Sequence, residues 1–313
     1  MKVGFIGLGK MGSRMAAKLL ADDHKLIVWN RSFDAVKNFK FQISNLKITS
    51  QKLKVARNIQ DLVQGLGKPR IIWLMLPQGE ATEGILKEVL KYIEKEDIVI
   101  DGGNSYFKDT ARRYRELKSK GIRFLGIGVS GGIIAAKTGY PLMVGGDKTA
   151  YEYVKPVLNS LAKPKGGHDY FGEGGAGHFI KMIHNGIEYG IMQSLGEGFE
   201  VLEKAPYEFD LLRVAKLWQK ETLVSGFMLD RAADALSKDP NLSKSSGVIG
   251  MASEEGKWTV DQAKEENVPV EIIERSLDYR KRSQDDPKIQ NSFTAKMISA
   301  LRNAFGGHPV SQA

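Results

Sequence analysis

Lys181, His184, Asn185 and Glu188 are spaced i, i+3, i+4, i+7, which on a helix advancing about 100° per residue puts all four on one face. An amine, an imidazole, an amide and a carboxylate side by side can accept, relay and return protons while holding hydroxyl groups. Phe179, Ile180, Met182, Ile183 and Ile187 occupy the rest of the circumference, so the spacing predicts a mostly buried helix, where such groups need partners or a ligand. Spacing alone leaves a solvated stripe on an amphipathic helix as the alternative.

A second set of residues could hold the other half of a reaction. Gly7, Gly9 and Gly12 fall between an expected strand at residues 2–6 and a helix running to about residue 20, with a further strand at 26–29. In that context the glycines permit a tight turn and close approach of a pyrophosphate to a helix N-terminus. An NAD-binding fold usually carries Asp or Glu after the second strand to hold the ribose 2′-hydroxyl. Asn30, Arg31 and Ser32 stand there instead, and an arginine suits a 2′-phosphate through charge-assisted hydrogen bonds. The expected cofactor is NADP, with NAD possible because Asp34 follows on the next helix. The expected contacts are Gly7, Gly9, Met11, Gly12, Asn30, Arg31, Ser32 and Asn104.

The elements that must position these groups alternate. Strands are expected at 70–76, 97–101, 123–128, 142–144 and 169–171, with helices at 58–64, 80–92, 110–120 and 150–161. This predicts a Rossmann-like, doubly wound α/β domain over residues 1–175; residues 41–56 carry no clear pattern. Past Gly172, Gly174, Gly175 and Gly177 the periodicity turns helical, at 178–204, 209–220, 227–236, 259–266, 270–282 and 291–303, predicting an all-α domain over 176–313 for substrate and dimerisation. Two loops should lie at the carboxyl edge of the sheet: Asp101, Gly102, Gly103, Asn104 and Ser105, then Gly128, Val129, Ser130, Gly131 and Gly132.

At 313 residues, 42% hydrophobic and 27% charged, the chain is two ordinary domains long. The start runs into a strand without signal-peptide organisation, and the longest apolar run, 71–76, is too short for a bilayer, so a cytoplasmic protein with no membrane role is expected. Having no cysteine, it can form no disulfide or cysteine zinc site, and its five histidines include no His-Glu-x-x-His pattern, so no metal is expected. The net charge of +9 would suit nucleic acid or a small phosphorylated substrate plus a dinucleotide. The densest basic segment, Lys108, Arg112, Arg113, Arg115, Lys118, Lys120 and Arg123, is interspersed with Asp109 and Glu116 and reads as a solvated helix face, so nucleic acid is not the expected partner.

These motifs together resemble the 6-phosphogluconate dehydrogenase family, decarboxylating enzymes of the pentose phosphate route, in a short-chain form. The resemblance covers the Gly7 to Gly12 turn, Asn30 and Arg31, residues 101–105 with 109–113, residues 128–132 and 175–189. It continues through 256–259 and Arg280 and ends at 302–308. The chain departs from the family pattern at 133–137, at 140–144 and at 254–256.

The resemblance implies that 6-phosphogluconate is oxidised at C3 by hydride transfer to NADP and decarboxylated to ribulose 5-phosphate. Lys181 would take the C3 hydroxyl proton and later return one to the carbonyl oxygen, and Glu188 would protonate the enediol carbon. Asn104, Ser130, Gly131, Gly132, His184 and Asn185 would hold the substrate's hydroxyls and carboxylate. Tyr189, Lys257, Thr259 and Arg280 would bind the phosphate, with Arg302 and His308 reaching it from a second subunit of a homodimer or tetramer. The alternatives are a related 3-hydroxy acid dehydrogenase with a smaller substrate, and an inactive NADP-sensing protein.

Overall fold

The central strands of the N-terminal part are apolar almost throughout, as strands covered on both faces must be. In the computed structural model, which describes residues 1–44, 51–250 and 254–306, β1 (Lys2–Ile6), β2 (Lys25–Trp29), β3 (Leu53–Val55), β4 (Ile71–Leu74), β5 (Ile98–Asp101), β6 (Arg123–Val129), β7 (Pro141–Gly146) and β8 (Gly167–Tyr170) form one sheet. Its order is β3-β2-β1-β4-β5-β6-β7-β8. All neighbours run parallel except β6 and β7. The chain order reverses beside β1, so the crevice between β1 and β4 is the switch point at which such sheets bind dinucleotides.

Successive side chains of β1 serve opposite faces. Val3 and Phe5 join the core beneath α1 (Lys10–Ala21) and α7 (Lys148–Ala162), whereas Ile6 joins the core beneath α3 (Ile59–Gln64), α4 (Glu80–Val89) and α5 (Phe107–Ser119). α2 (Phe33–Gln42) flanks β2, and a short α6 (Ala135–Thr138) follows a single 3-10 turn, Gly132–Ile134. Helix starts are set locally: Asn58 accepts from Asp61 N at 2.7 Å to cap α3, and Asp147 from Ala150 N at 2.8 Å to cap α7.

Two compact units divide at Lys181 and Met182, within α8 (Ala176–Glu203), the 28-residue helix that bears the predicted stripe. The second unit is helical: α9 (Leu211–Trp218), α10 (Phe227–Lys238), α11 (Glu255–Glu265), α12 (Glu271–Arg282), α13 (Pro287–Gln290) and α14 (Phe293–Gly306). Its own core gathers Met192 and Phe199 of α8, Leu229, Ala232 and Leu236 of α10, and Ala295, Met297, Ile298 and Leu301 of α14. No helix among the described residues is long and apolar enough to cross a membrane. The fold is therefore a Rossmann-like α/β domain followed by an all-α one.

Candidate active site

The glycines after β1 are required for different reasons. Gly7 has φ +101°, and a Cβ there would lie 2.2 Å from Met75 O. A Cβ on Gly12 would lie 2.0 Å from Gly7 O, so α1 can pack onto the turn only without one. Gly9 instead has nothing within 4 Å of where its Cβ would be. The turn is thus tight beneath and open above, and α1 begins there with no acidic residue in its first turn. A phosphate fits such a cradle.

At the end of β2, Asn30 Oδ1 accepts from Leu8 N at 2.9 Å and its Nδ2 donates to Ser32 O at 3.1 Å. Asn30 therefore ties the two cofactor loops together. Arg31 and Ser32 are exposed and Met11 is half-buried. Ser32 caps α2 by position, with no side-chain cap bond of its own.

The next loops along the same edge follow β5 and β6. In residues 101–105 only Asn104 is exposed. Ser130 is half-buried, its N–H donating to Pro141 O at 2.9 Å, and Gly131 and Gly132 follow with φ +87° and +56°, a left-handed pair that other residues adopt only under strain. Beside them the first turn of α8 meets bare backbone. A Cβ on Gly177 would lie 2.4 Å from both Gly126 O and Met143 O, and one on Gly128 would lie 2.3 Å from Lys181 Cβ. Lys181 is buried.

Beyond Lys181, α8 belongs to the second unit. Asn185 is buried, His184 and Glu188 are part-exposed, and Ile187 is exposed, unlike its expected apolar burial. His184 Nδ1 lies 3.0 Å from Asn185 Oδ1 and 3.9 Å from Glu188 Oε2, so three of the four predicted residues form one polar chain.

One turn further on, Tyr189 is covered by Gly256 of α11, whose Cβ would lie 2.2 Å from Tyr189 Cε2, and by Arg280 of α12, whose Cζ stands 4.0 Å from the ring centroid. Burial brings the Arg280 guanidinium down to about 10, and Nη1 has no hydrogen-bond partner among the described residues. Burial also lowers Arg302, which donates to Gly250 O at 2.7 Å and lies within electrostatic reach of Tyr189 and Glu188 of the same chain. A desolvated guanidinium with an unpartnered Nη1, beside a second cation lowered by burial, makes a site that favours an anion.

The other predicted phosphate contacts differ. Lys257 is exposed and pairs with Asp261 at 2.6 Å. Thr259 is buried under Gly186, and its hydroxyl faces two main-chain oxygens, Met182 O at 2.8 Å and Glu255 O at 3.0 Å, which makes it a helix-packing residue as it stands. His308 lies outside the described residues.

Sequence reasoning missed a buried network under the 101–105 loop. It read Arg113 as part of a solvated basic face, but Arg113 is fully buried, because the inward stripe of α5 is Thr110, Arg113, Tyr114 and Leu117. The i, i+3, i+4, i+7 spacing of Thr110, Tyr114 and Leu117 was the signal that placed Arg113 inside. His178, also missed, is buried with Nδ1 2.8 Å from Thr110 Oγ1.

A doubly wound sheet with a glycine-rich first turn, joined to a helical domain by a lysine-bearing helix, defines a nicotinamide-dinucleotide oxidoreductase. Residues 2–174 match the NAD binding domain of 6-phosphogluconate dehydrogenase and residues 177–292 match 6-phosphogluconate dehydrogenase, C-terminal domain. The chain belongs to the 6-phosphogluconate dehydrogenase family. It is 38% identical over 312 residues to YqeC of Bacillus subtilis (strain 168), provisionally named a 6-phosphogluconate dehydrogenase, with 100% of each chain covered. It is 34% identical over 313 residues to the NAD(+)-dependent, decarboxylating 6-phosphogluconate dehydrogenase of Haloferax volcanii, covering 100% of this chain and 99% of that one. Among solved structures, the Plasmodium falciparum 6-phosphogluconate dehydrogenase, studied with NADP+ and with 6-phosphogluconate, superposes with a TM-score of 0.80 at 30% identity. That match covers 90% of this chain and 62% of the longer one. NAD- and NADP-using relatives both occur, and the N-terminal domain is of the NAD(P)-binding kind.

Proposed function

We propose that the chain oxidises and decarboxylates 6-phosphogluconate to ribulose 5-phosphate and carbon dioxide, with NADP as the preferred acceptor. The observation that carries this reading is the buried Arg280 guanidinium, set over the Tyr189 ring with its Nη1 lacking a hydrogen-bond partner among the described residues. A smaller 3-hydroxy acid has no phosphate to use the Tyr189, Arg280 and Arg302 set.

In this reading a dinucleotide held by the glycine turn would supply the acceptor for the C3 hydride. Lys181 takes the C3 hydroxyl proton, leaving a 3-keto acid. The C1–C2 bond then breaks with release of carbon dioxide, and its electron pair moves onto the C3 carbonyl, whose oxygen takes the proton back from Lys181. Glu188 protonates the resulting enediol at the carbon that lost the carboxylate, while the C3 hydroxyl gives its proton to Lys181 and becomes the ketone of ribulose 5-phosphate. Asn104, Ser130, His184 and Asn185 orient the hydroxyls and carboxylate. Gly7, Gly9 and Gly12 receive the pyrophosphate, and Arg31 with Ser32 receives the 2′-phosphate. Assembly as a homodimer or tetramer belongs to the same proposal and is checked by light scattering.

The test is absorbance of reduced cofactor with 6-phosphogluconate and NADP or NAD, followed alongside released carbon dioxide. Equal amounts of both products are expected. Reduction without carbon dioxide would assign the chain to non-decarboxylating 3-hydroxy acid oxidation, and no reduction with either cofactor would leave a dinucleotide-binding protein. Lys181→Met is expected to lower turnover by about 10²- to 10⁴-fold, the usual range for a positioned general base, while dinucleotide binding persists.

A further inference from the structure

The loop of residues 101–105 is closed on one carboxylate. Asp101, at the end of β5, accepts from Gly103 N at 3.1 Å with Oδ1, and from Ser105 Oγ at 2.7 Å and Arg113 Nη1 at 2.8 Å with Oδ2. Arg113 also lies 3.3 Å from Ser105 Oγ through Nη1, and donates to Glu83 of α4 at 2.9 Å through Nε. The side chains of Asp101 and Arg113 are 0% and 1% exposed.

Backbone contacts fix the loop from beneath. A Cβ on Gly102 would lie 2.5 Å from Trp73 Nε1, and one on Gly103 would lie 2.4 Å from Leu76 O. Asn104 is thus the exposed apex of a turn whose every neighbour is tied down.

A buried ion pair is a poor device for stability, since an apolar replacement of similar volume commonly does as well. What a planar guanidinium fork supplies is geometry: two directions of hydrogen bonding fixed by one rigid group. Here one direction points at Asp101, at the end of β5, and the other at Glu83, in the first turn of the helix after β4. Burial would raise Glu83, but Arg112 and Arg113 together hold its carboxyl below the usual value, so it remains an anion for the fork. On the same helix, one turn earlier, Thr110 holds His178 of α8, one turn before Lys181. α5 is therefore the shared anchor of the loop apex and of the start of the lysine-bearing helix.

We infer that Arg113 is a positioning residue, whose guanidinium sets the place of Asn104 at the carboxyl edge of the sheet. This inference rests on the proposed reaction for its kinetic consequence but not for its structural one. Were Arg113 only a stabilising group, its loss would act on the fold irrespective of residue 104. Acting through Asn104, it has nothing left to position once that side chain is gone.

The experiment is a double-mutant cycle on the full chain with Arg113→Lys and Asn104→Ala, read as kcat/KM for 6-phosphogluconate. Hydrogen exchange over residues 102–106 is measured in parallel. Arg113→Lys keeps the charge and loses the fork. Expected is a fall in kcat/KM of about tenfold or more, in line with the cost of sub-ångström to ångström misplacement, shrinking to less than about twofold in the Asn104→Ala background. Exchange at Gly103 should accelerate while β1 and β2 stay protected. Equal losses in both backgrounds, or unchanged exchange, would overturn the inference. Full activity of Asn104→Ala would overturn it too, because no apex would need placing. If the unmutated chain fails to turn over 6-phosphogluconate, the proposed reaction falls and exchange alone decides the structural role of Arg113. Should Arg113→Lys not fold, Ser105→Ala removes one bond of the same ring and is expected to act in the same direction; a silent Ser105→Ala would count as refutation.

Discussion

Gly128 and Lys181 share one space: a Cβ on Gly128 would stand 2.3 Å from Lys181 Cβ and 3.0 Å from Gly177 O. The strand residue is glycine because the lysine's stem runs across it. Gly128→Ala must then push the first turns of α8 away from β6. Overpacking of this kind costs about 1–3 kcal/mol in stability, and a shift of about 1 Å at a reacting group costs up to about 10² in rate. The expected variant is folded, binds the dinucleotide and has a kcat lowered about 10- to 100-fold. An unchanged kcat would show that Lys181 does not need its present position.

That relationship marks what the sequence could and could not convey. The order of strands and helices was legible because short continuous apolar runs alternate with segments of helical period, and the glycine turn was legible because it follows β1 directly. The contact between Gly128 and Lys181 joins residues more than fifty positions apart, and no local pattern encodes it. β3 is only three residues long and pairs at the sheet's edge, too short for alternation to register in the stretch 41–56. α11 begins at Glu255, ahead of the expected 259, because Gly256 is used for packing against Tyr189 and does not end the helix. Arg113 was misread because its neighbours Arg112 and Arg115 do carry the solvated face, and a count of charges cannot separate the one that turns inward.

Arg31 is exposed at the end of β2, so its contribution should be confined to the ligand. Arg31→Ala is expected to weaken NADP by about 1.5–3 kcal/mol, the range for a hydrogen bond to a charged group, and to leave NAD within about twofold. Titration of each cofactor by fluorescence checks this. Equal weakening of both would remove the 2′-phosphate from the contacts of Arg31.

The buried guanidinium of Arg280, brought down to about 10 by burial, has a deficit that an anion would remove. Inorganic phosphate alone should therefore raise the melting temperature, by the equivalent of about 2.7 kcal/mol at a hundredfold excess over its Kd. Arg280→Met should abolish that increment and raise KM for the phosphorylated substrate more than it lowers kcat. If phosphate stabilises the variant as much as the parent, the anion is held elsewhere.

His178 carries a pH prediction. Burial lowers its pKa, with the nearby Asp101 pulling in the other direction and Arg113 adding to the depression. The groups facing it include Thr110 on α5 and the main chain at Gly103 and Ile127, an arrangement that accommodates a neutral ring. Because the folded state holds the neutral form while the unfolded chain protonates near the ordinary value of about 6.5, the unfolded state binds more protons below that pH. Stability is complete above it and is lost as pH falls, until the folded value is reached. His178→Gln keeps a hydrogen-bonding side chain and removes the titration. Between pH 7 and pH 5 it should flatten the fall in unfolding free energy by up to about 1.4 kcal/mol per pH unit, the contribution of a single proton. His24 and His168, also lowered by burial, remain in both proteins, so the difference between the two denaturation series isolates His178. Parallel curves would mean that His178 is protonated alike in the folded and unfolded chain, and that the neutral imidazole beside Thr110 is not what holds the start of α8.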